Sequence, residues 1–528
     1  MPEFELATLD MAIIVAFTAS IVGIGFWVGR KKENADDFLL AGRGMAWPLV
    51  GFSLLAAQFS GSLYIALAGG GYEEGIVVWN FEWMATLVLV VFAILILPFY
   101  LQTKITTVPE FLERRYDRRA RKTFSAFTVL TGMFIDSAGA MFAGAIVMQL
   151  LWPETPLLIH IAIIALLGGG YVILGGLQAV MITDTIQGPV LFLAGGVVFV
   201  MAFAQFDFDW SVLQELAPER GWTVVREPGD EFLPWPGLFT GAIWLSFYVW
   251  VTNHMVVQKV LSAKNIDHGR WGALFAGLMQ LPLLVLVIFP GILGRGVFEE
   301  LDDPDMAFPA LIFEFLPIGI RGFVVAALIA ALMSTLDSVL NGASSLVVND
   351  WIKTSNREFS ERQLLVISRS LVAVFMVVAA LWAPVITTFD TIVEFFQSFL
   401  GYVTMPLVVV LLGGIFWKRA SSTAAFVTFG GLLPVGVLAF FAVEIFDLAE
   451  VQFLYATGIM FAASVIVFVV ASLMTDPPPA EQVEETTWST ETWRKESEEL
   501  AGKPKWKNYR YLAGALFVFT ILIVIPFV

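Results

Sequence analysis

The chain has 528 residues, 58% of them apolar and only 14% charged, with a net charge of −16 and no cysteine, and its mean hydropathy is +0.80. Soluble domains run about 45–50% apolar with about a quarter of their residues charged, so this much apolar surface needs lipid as its solvent. The missing cysteines exclude disulfides, thiolate metal sites and thiol catalysis together.

Taking about 20 apolar residues per crossing, the sequence predicts an all-α integral membrane protein with about fourteen transmembrane helices. They fall at 8–29, 47–72, 76–100, 124–151, 156–174, 180–204, 237–257, 271–293, 319–347, 364–384, 388–416, 421–444, 452–474 and 511–528, numbered below as spans one to fourteen. Backbone groups in hydrocarbon must be satisfied internally, which helices achieve; the alternating ten-residue strands of a barrel are not seen. Glu3, Glu5 and Asp10 stand where a cleavable signal would be basic, so the first stretch is read as a retained span.

Alternation sets the orientation. With the N-terminus outside, the segments facing the cytoplasm hold 25 of the 30 basic residues, from Arg30 to Arg510. Only Arg220, Arg226, Arg295 and Arg321 face out, and Arg369 lies inside a span. This is the positive-inside pattern, and it leaves both termini outside. The expected location is a plasma membrane, bacterial inner membrane in particular. The acidic balance fits either a high-salt habitat or an acidic outer surface. Residues 205–236 and 294–318 are acidic external loops with short helices on the rim. The tail 475–510 opens with Pro477, Pro478 and Pro479, then turns charged, with Trp488, Trp493 and Trp506, and is read as lying on the inner membrane surface.

A carboxyl at mid-span costs about 2.5–3.5 kcal/mol on insertion scales, so it is functional or paired; Glu82, Asp136, Asp184, Asp337 and Glu394 are such groups. In span two, Ala56-Ala57-Gln58-Phe59-Ser60-Gly61-Ser62 and then Gly69-Gly70-Gly71 let a helix unwind and expose carbonyls to a cation, or supply a small-residue packing face. In span nine, Ala331, Ser334, Thr335 and Ser338 form one helical stripe. Its hydroxyls suit Na⁺, or bond back to their own i−4 carbonyls.

At these residues the chain resembles the sodium:solute symporter family, which includes the sodium/glucose cotransporters. The resemblance covers about residues 36–420. It includes Phe38-Leu39-Leu40-Ala41-Gly42-Arg43, Phe81-Glu82-Trp83-Met84 and Thr107-Val108-Pro109-Glu110-Phe111-Leu112. The most specific piece is Gly175-Gly176-Leu177-Gln178-Ala179-Val180 with Thr183-Asp184-Thr185-Ile186-Gln187. Ser334-Thr335 with Asn341, and Gly414-Ile415-Phe416-Trp417-Lys418-Arg419, complete it.

The resemblance implies a leucine-transporter-type core of 5+5 inverted repeats, 47–204 and 237–417. Around it stand an N-terminal helix and first cytoplasmic loop (1–46), an external loop (205–236), two peripheral helices (418–474), the tail (475–510) and a last span (511–528). It implies a sodium site of carbonyls from Ala56, Phe59 and Ala331 with hydroxyls of Ser334 and Thr335. A second sodium site would use Asp184, Ser334, Asp337 and Ser338; Asp337 departs from the hydroxyl or small residue of the sugar carriers. The implied solute pocket is Gln58, Glu82, Asp136, Ser246, Asn253, Gln280 and Gln397. Gln58 and Ser246 stand where asparagines are expected, Gln280 replaces a lysine, Leu63 a polar residue and Val249 an aromatic gate.

The function expected is therefore sodium-coupled import of a small polar solute, a sugar or polyol first, with Na⁺ as co-substrate and no covalent chemistry. A sugar acid, carboxylate or amino acid is the rival solute, although the spans offer such an anion no obvious cation. A proton-pumping respiratory subunit would need a midplane chain of Lys, Glu and His, and only His160, His254 and His268 exist. The partners expected are the solute, sodium and lipid, with no nucleic acid, in a monomer or weak homo-oligomer.

Overall fold

The computed structural model describes residues 6–29, 44–58, 60–102, 105, 107–172, 177–298, 301–353, 357–484 and 486–528. They form helix throughout, with two isolated β-bridges, Met45 to Ala263 and Arg226 to Pro234, and no strand among them. Each of the fourteen predicted segments contains helix. By length and composition, eight helices among the described residues can cross a membrane, or nine if the bent pair Ile392–Val403 and Met405–Phe416 is one span. Three shorter apolar helices, Thr8–Ser20, Leu157–Gly168 and Gly188–Ala204, fall in other predicted spans.

The longest apolar run, Gly61–Leu101, has 41 residues and would be about 60 Å long if straight, twice the bilayer core. Its first α-helix ends at Gly75, whose φ of +79° belongs to glycine. A side chain there would also meet the Gly221 carbonyl oxygen at 2.3 Å.

Among the described residues, three spans are interrupted. Span two is two helices, Trp47–Gln58 and Gly61–Glu74, with Ser60 extended between them (φ −78°, ψ 157°) and capping the second through its hydroxyl. Span seven breaks at Asn253 (φ −61°, ψ 120°), between a π-helical turn, Tyr248–Thr252, and helix His254–Leu261. Span eleven bends by 55° at Thr404. The second of these breaks carries no glycine or proline to mark it in the sequence. The first is legible but not where the glycines suggest. Gly69, Gly70 and Gly71 lie within intact helix and serve close packing: a methyl on Gly69 would meet Asp305 Oδ1 at 2.1 Å and one on Gly71 the Ile288 carbonyl oxygen at 2.6 Å. The extended residue described in this motif is Ser60, and the glycine run is a packing face.

Several helix ends are capped from far away in sequence. Asp10 of span one accepts the Gly319 and Gly322 N–H groups (2.7 and 3.0 Å) at the start of helix Ile320–Val347 and pairs with Arg321 at 2.7 Å. Buried Arg115 donates to the carbonyls of Gly414, Trp417 and Ala420 at 2.8–3.1 Å, closing the end of span eleven. Asp305 accepts the Ile392 N–H at 2.7 Å, at the start of the same span. Such bonds satisfy terminal groups that no helix satisfies for itself. The two acidic loops carry short helices, Trp210–Leu216 and Ala307–Phe315. In the tail, Gln482 donates to the Tyr116 carbonyl at 2.7 Å, and Glu496 of helix Thr490–Ala501 pairs with Arg270 and Arg510.

Candidate functional site

The break in span two lies against span nine. A methyl on Gly61 would stand 2.9 Å from the Leu328 carbonyl oxygen and 2.8 Å from Leu332 Cγ. Ala331 and Thr335 follow on the same helix, Ile320–Val347. Ala331 is buried and Thr335 half-buried, and the Thr335 hydroxyl donates to the Ala331 carbonyl at 3.0 Å. This is the back-bonded arrangement. It leaves the hydroxyl oxygen lone pairs and the second carbonyl lone pair free to face a cation.

Ser338 is half-buried one turn beyond Ser334. Phe59 lies outside the described residues, as do the side chains of Ala56, Gln58, Asp184, Ser334 and Asp337. Ala56 and Gln58 belong by their backbone to helix Trp47–Gln58, Asp184 to helix Leu177–Ala204, and Ser334 and Asp337 to helix Ile320–Val347.

The residues expected to line the solute pocket distribute over six spans, two, three, four, seven, eight and eleven. Spans three and eight run antiparallel: Arg270 donates to the Ala93 carbonyl at 3.0 Å, and seven residues along, Thr86 donates to the Gly277 carbonyl at 2.8 Å. One further turn on each helix brings Glu82 level with Gln280. Glu82 is 8% exposed and Gln280 fully buried. Neither amide atom of Gln280 has a hydrogen-bond partner among the described residues, although a buried amide left unpaired costs about 1–3 kcal/mol. An unpaired amide thus lies level with a buried carboxylate.

Ser246 is buried on helix Ile243–Phe247, which packs on the helix bearing Glu82, and Asn253 sits at the break in span seven. Gln397 lies on helix Ile392–Val403, ahead of the Thr404 bend, with its Oε1 buried and unpartnered. Asp136 is half-buried in a π-helical turn, Gly132–Ser137, within electrostatic reach of Tyr248. No hydrogen bond among the described residues joins Gln397 or Asp136 to Glu82. π-turns gather at functional sites, and one of them leads directly into the break at Asn253.

Two features carry weight that the sequence reading did not assign them. Lys259, counted there only as a cytoplasmic cation, donates to the Ser53 carbonyl at 3.0 Å. Asn253 breaks its helix with neither glycine nor proline; the available signal was the polar triplet Thr252-Asn253-His254 inside an apolar stretch.

The sequence pattern that defines the sodium:solute symporter family matches residues 38–432. Sodium/glucose cotransporter 4 of Danio rerio is 28% identical, aligned over 94% of this chain and 83% of its own length. Sodium/myo-inositol cotransporter 2 of Oryctolagus cuniculus is 29% identical over 93% of this chain and 80% of its own. Among solved structures, a substrate-bound, outward-open Na⁺-coupled sialic acid symporter superposes with a TM-score of 0.71 at 21% identity, covering 90% of this chain and 99% of that one. A nucleobase-cation-symport-1 transporter in a closed conformation superposes with a TM-score of 0.55 at 14% identity, over 86% and 99%. These likenesses establish the fold, that of sodium-coupled transporters of the leucine-transporter type. By its sequence over three quarters of its length, this multi-pass membrane protein belongs to the sodium:solute symporter family.

Proposed function

We propose that the chain is a sodium-coupled symporter that imports a neutral, hydroxyl-rich solute, a sugar or polyol, by alternating access. The observation that carries this reading is the contact of the span-two break with the Leu328–Leu332 turn of span nine, taken with buried Glu82 and Gln280 level on the packed spans three and eight. Names of relatives that carry glucose or myo-inositol agree with it. None of Gln58, Glu82, Asp136, Ser246, Asn253, Gln280 and Gln397 is basic, which disfavours a sugar acid or another carboxylate.

In this reading spans two to six and seven to eleven form the 5+5 inverted repeat, and the breaks at Ser60 and Asn253 occupy corresponding first helices. Interrupted helices at matching positions are where carriers of this kind bind ions and solute. Na⁺, held by the carbonyls of Ala56, Phe59 and Ala331 and the hydroxyls of Ser334 and Thr335, pins span two to span nine and favours the outward-open form. Solute then bridges the broken spans to span three and the outer half of span eleven, whose bend at Thr404 supplies a hinge. Inward opening releases both, and each charge moved down 100 mV adds about 2.3 kcal/mol of drive. The protein sits in a plasma membrane with both termini outside.

The test is uptake into proteoliposomes from a panel of sugars, polyols and sugar acids, with an inward sodium or potassium gradient. Sodium-dependent uptake of a neutral polyhydroxy solute is expected, together with loss of solute binding in Glu82→Ala while sodium binding persists. A site built to bond hydroxyls leaves partners buried and unpaired when one is removed. Wild-type solute affinity in Glu82→Ala would place the pocket elsewhere.

Asp184 and Asp337 bear on stoichiometry. Two carboxylates close together in low dielectric cannot both stay charged without cations, and we assign them a second Na⁺ with Ser334 and Ser338. The sodium dependence of uptake is then expected to have a Hill coefficient above one, falling toward one in Asp337→Ala. A wild-type coefficient of one with strong pH dependence near neutrality would assign a proton to the pair instead.

A further inference from the structure

The cytoplasmic halves of the two broken spans are fastened to each other. Helix Trp47–Gln58 packs on helix His254–Leu261. Beside them the Met45 N–H donates to the Ser262 carbonyl (3.1 Å) and the Lys264 N–H to the Met45 carbonyl (3.0 Å). The Trp47 N–H donates to His268 Nδ1 at 2.9 Å. Within this joint the half-buried Lys259 side chain reaches the Ser53 carbonyl at 3.0 Å. Ser53 lies five residues before the end of helix Trp47–Gln58, and Ala56 is one turn further on, a rise of about 4.5 Å.

That helix end carries the negative pole of the helix dipole, about half an elementary charge, together with carbonyls that no helical N–H satisfies. The proposed sodium site uses the same pole. A fixed ammonium and a bound Na⁺ therefore share one short stretch of carbonyls, in surroundings where like charges repel far more strongly than in water. The ammonium cannot move away cheaply, because the Met45–Ala263 bridge and the packing of helix His254–Leu261 on helix Trp47–Gln58 hold the lysine-bearing helix to the carbonyl-bearing one.

We propose that Lys259 is a tethered competitor of the sodium ion: bonded to the Ser53 carbonyl, it lowers sodium affinity at the end of that half-helix and hastens release to the cytoplasm. It also holds the carbonyl end in order once the ion has left, so the emptied site returns outward without unravelling. Lys259 is a positioning residue rather than an ion ligand. The inference rests on the sodium site proposed above, and its test separates the two.

The experiment measures the sodium concentration for half-maximal uptake in proteoliposomes, and sodium-induced thermal stabilisation in detergent, for Lys259→Gln, Lys259→Arg and Thr335→Ala. Glutamine keeps a donor and removes the charge; arginine keeps both. Lys259→Gln is expected to lower half-saturating sodium about tenfold, on the order of one like charge at short range in a partly buried setting, and to slow turnover at saturating sodium. Lys259→Arg should stay near the wild type. If the lysine were only a structural strut, glutamine would leave sodium affinity unchanged or weaken it, and either result overturns the proposal. The thermal measurement decides the matter if a variant transports nothing. Should Thr335→Ala leave sodium affinity untouched while Lys259→Gln still tightens it, the ion lies near Lys259 but without Thr335, and only the ligand assignment falls.

Discussion

Thr335→Ala is expected to raise the sodium concentration for half-maximal uptake by tenfold or more while leaving solute affinity at saturating sodium nearly unchanged. Na⁺ is a hard cation that binds oxygen, and the proposed cage offers three carbonyls and two hydroxyls. Removing one of five ligands is expected to cost about the 1.4 kcal/mol that corresponds to tenfold in affinity, or more. The alanine also removes the bond from Thr335 Oγ1 to the Ala331 carbonyl, 3.0 Å long, so Ala331 loses the group that orients it. Thr335→Ser keeps the hydroxyl and should restore most of the affinity. Sodium titration of uptake, with solute saturating, distinguishes the variants. Unchanged half-saturation in a folded Thr335→Ala protein would remove this residue from the site, leaving the contact between Gly61 and the Leu328–Leu332 turn as packing alone.

Different physical rules made parts of this molecule legible in sequence to different degrees. Apolar stretches of bilayer length are read directly because lipid imposes one length on them, and each of the fourteen segments does contain helix. Crossing number is less direct. Interrupted helices such as Trp47–Gln58 with Gly61–Glu74 share one span, whereas the continuous run Gly61–Leu101 is divided by a single turn at Gly75. The stripe Ala331-Ser334-Thr335-Ser338 was visible because helical period alone defines it.

The role of Gly69-Gly70-Gly71 was not, because the same small residues serve unwinding and close packing. Only the neighbours, Asp305 and Ile288, decide for packing. The break at Asn253 was hidden for the opposite reason: it uses no helix-breaking residue, and a π-turn supplies the distortion. The level placement of Glu82 and Gln280 comes from a register set by bonds between residues 177 and 191 apart in sequence. No local pattern encodes such a register.

Asp10 shows the same limit, and its replacement should have the largest effect on stability. In the sequence it is one acidic residue at the start of a span. In the fold it is fully buried against span nine, accepting from Gly319 and Gly322 and pairing with Arg321, more than 300 residues away. One carboxylate thus satisfies two orphan N–H groups at the head of the helix that carries Thr335 and sits at the positive end of its dipole. Gly322 allows the approach, since a methyl there would stand 2.5 Å from the Asp10 Cα.

Asp10→Ala leaves two N–H groups and a guanidinium without their acceptor. Breaking a buried pair costs about 3–5 kcal/mol, and the position near the membrane surface favours the lower end of that range. Thermal unfolding in detergent should begin several degrees lower than in the wild type. Asp10→Asn, which keeps an acceptor but no charge, should fall between. Adding Arg321→Leu to Asp10→Ala should recover part of the loss, because the stranded cation is then gone. Equal unfolding temperatures for wild type and Asp10→Ala would mean that span one is an ornament to the core rather than the cap of span nine.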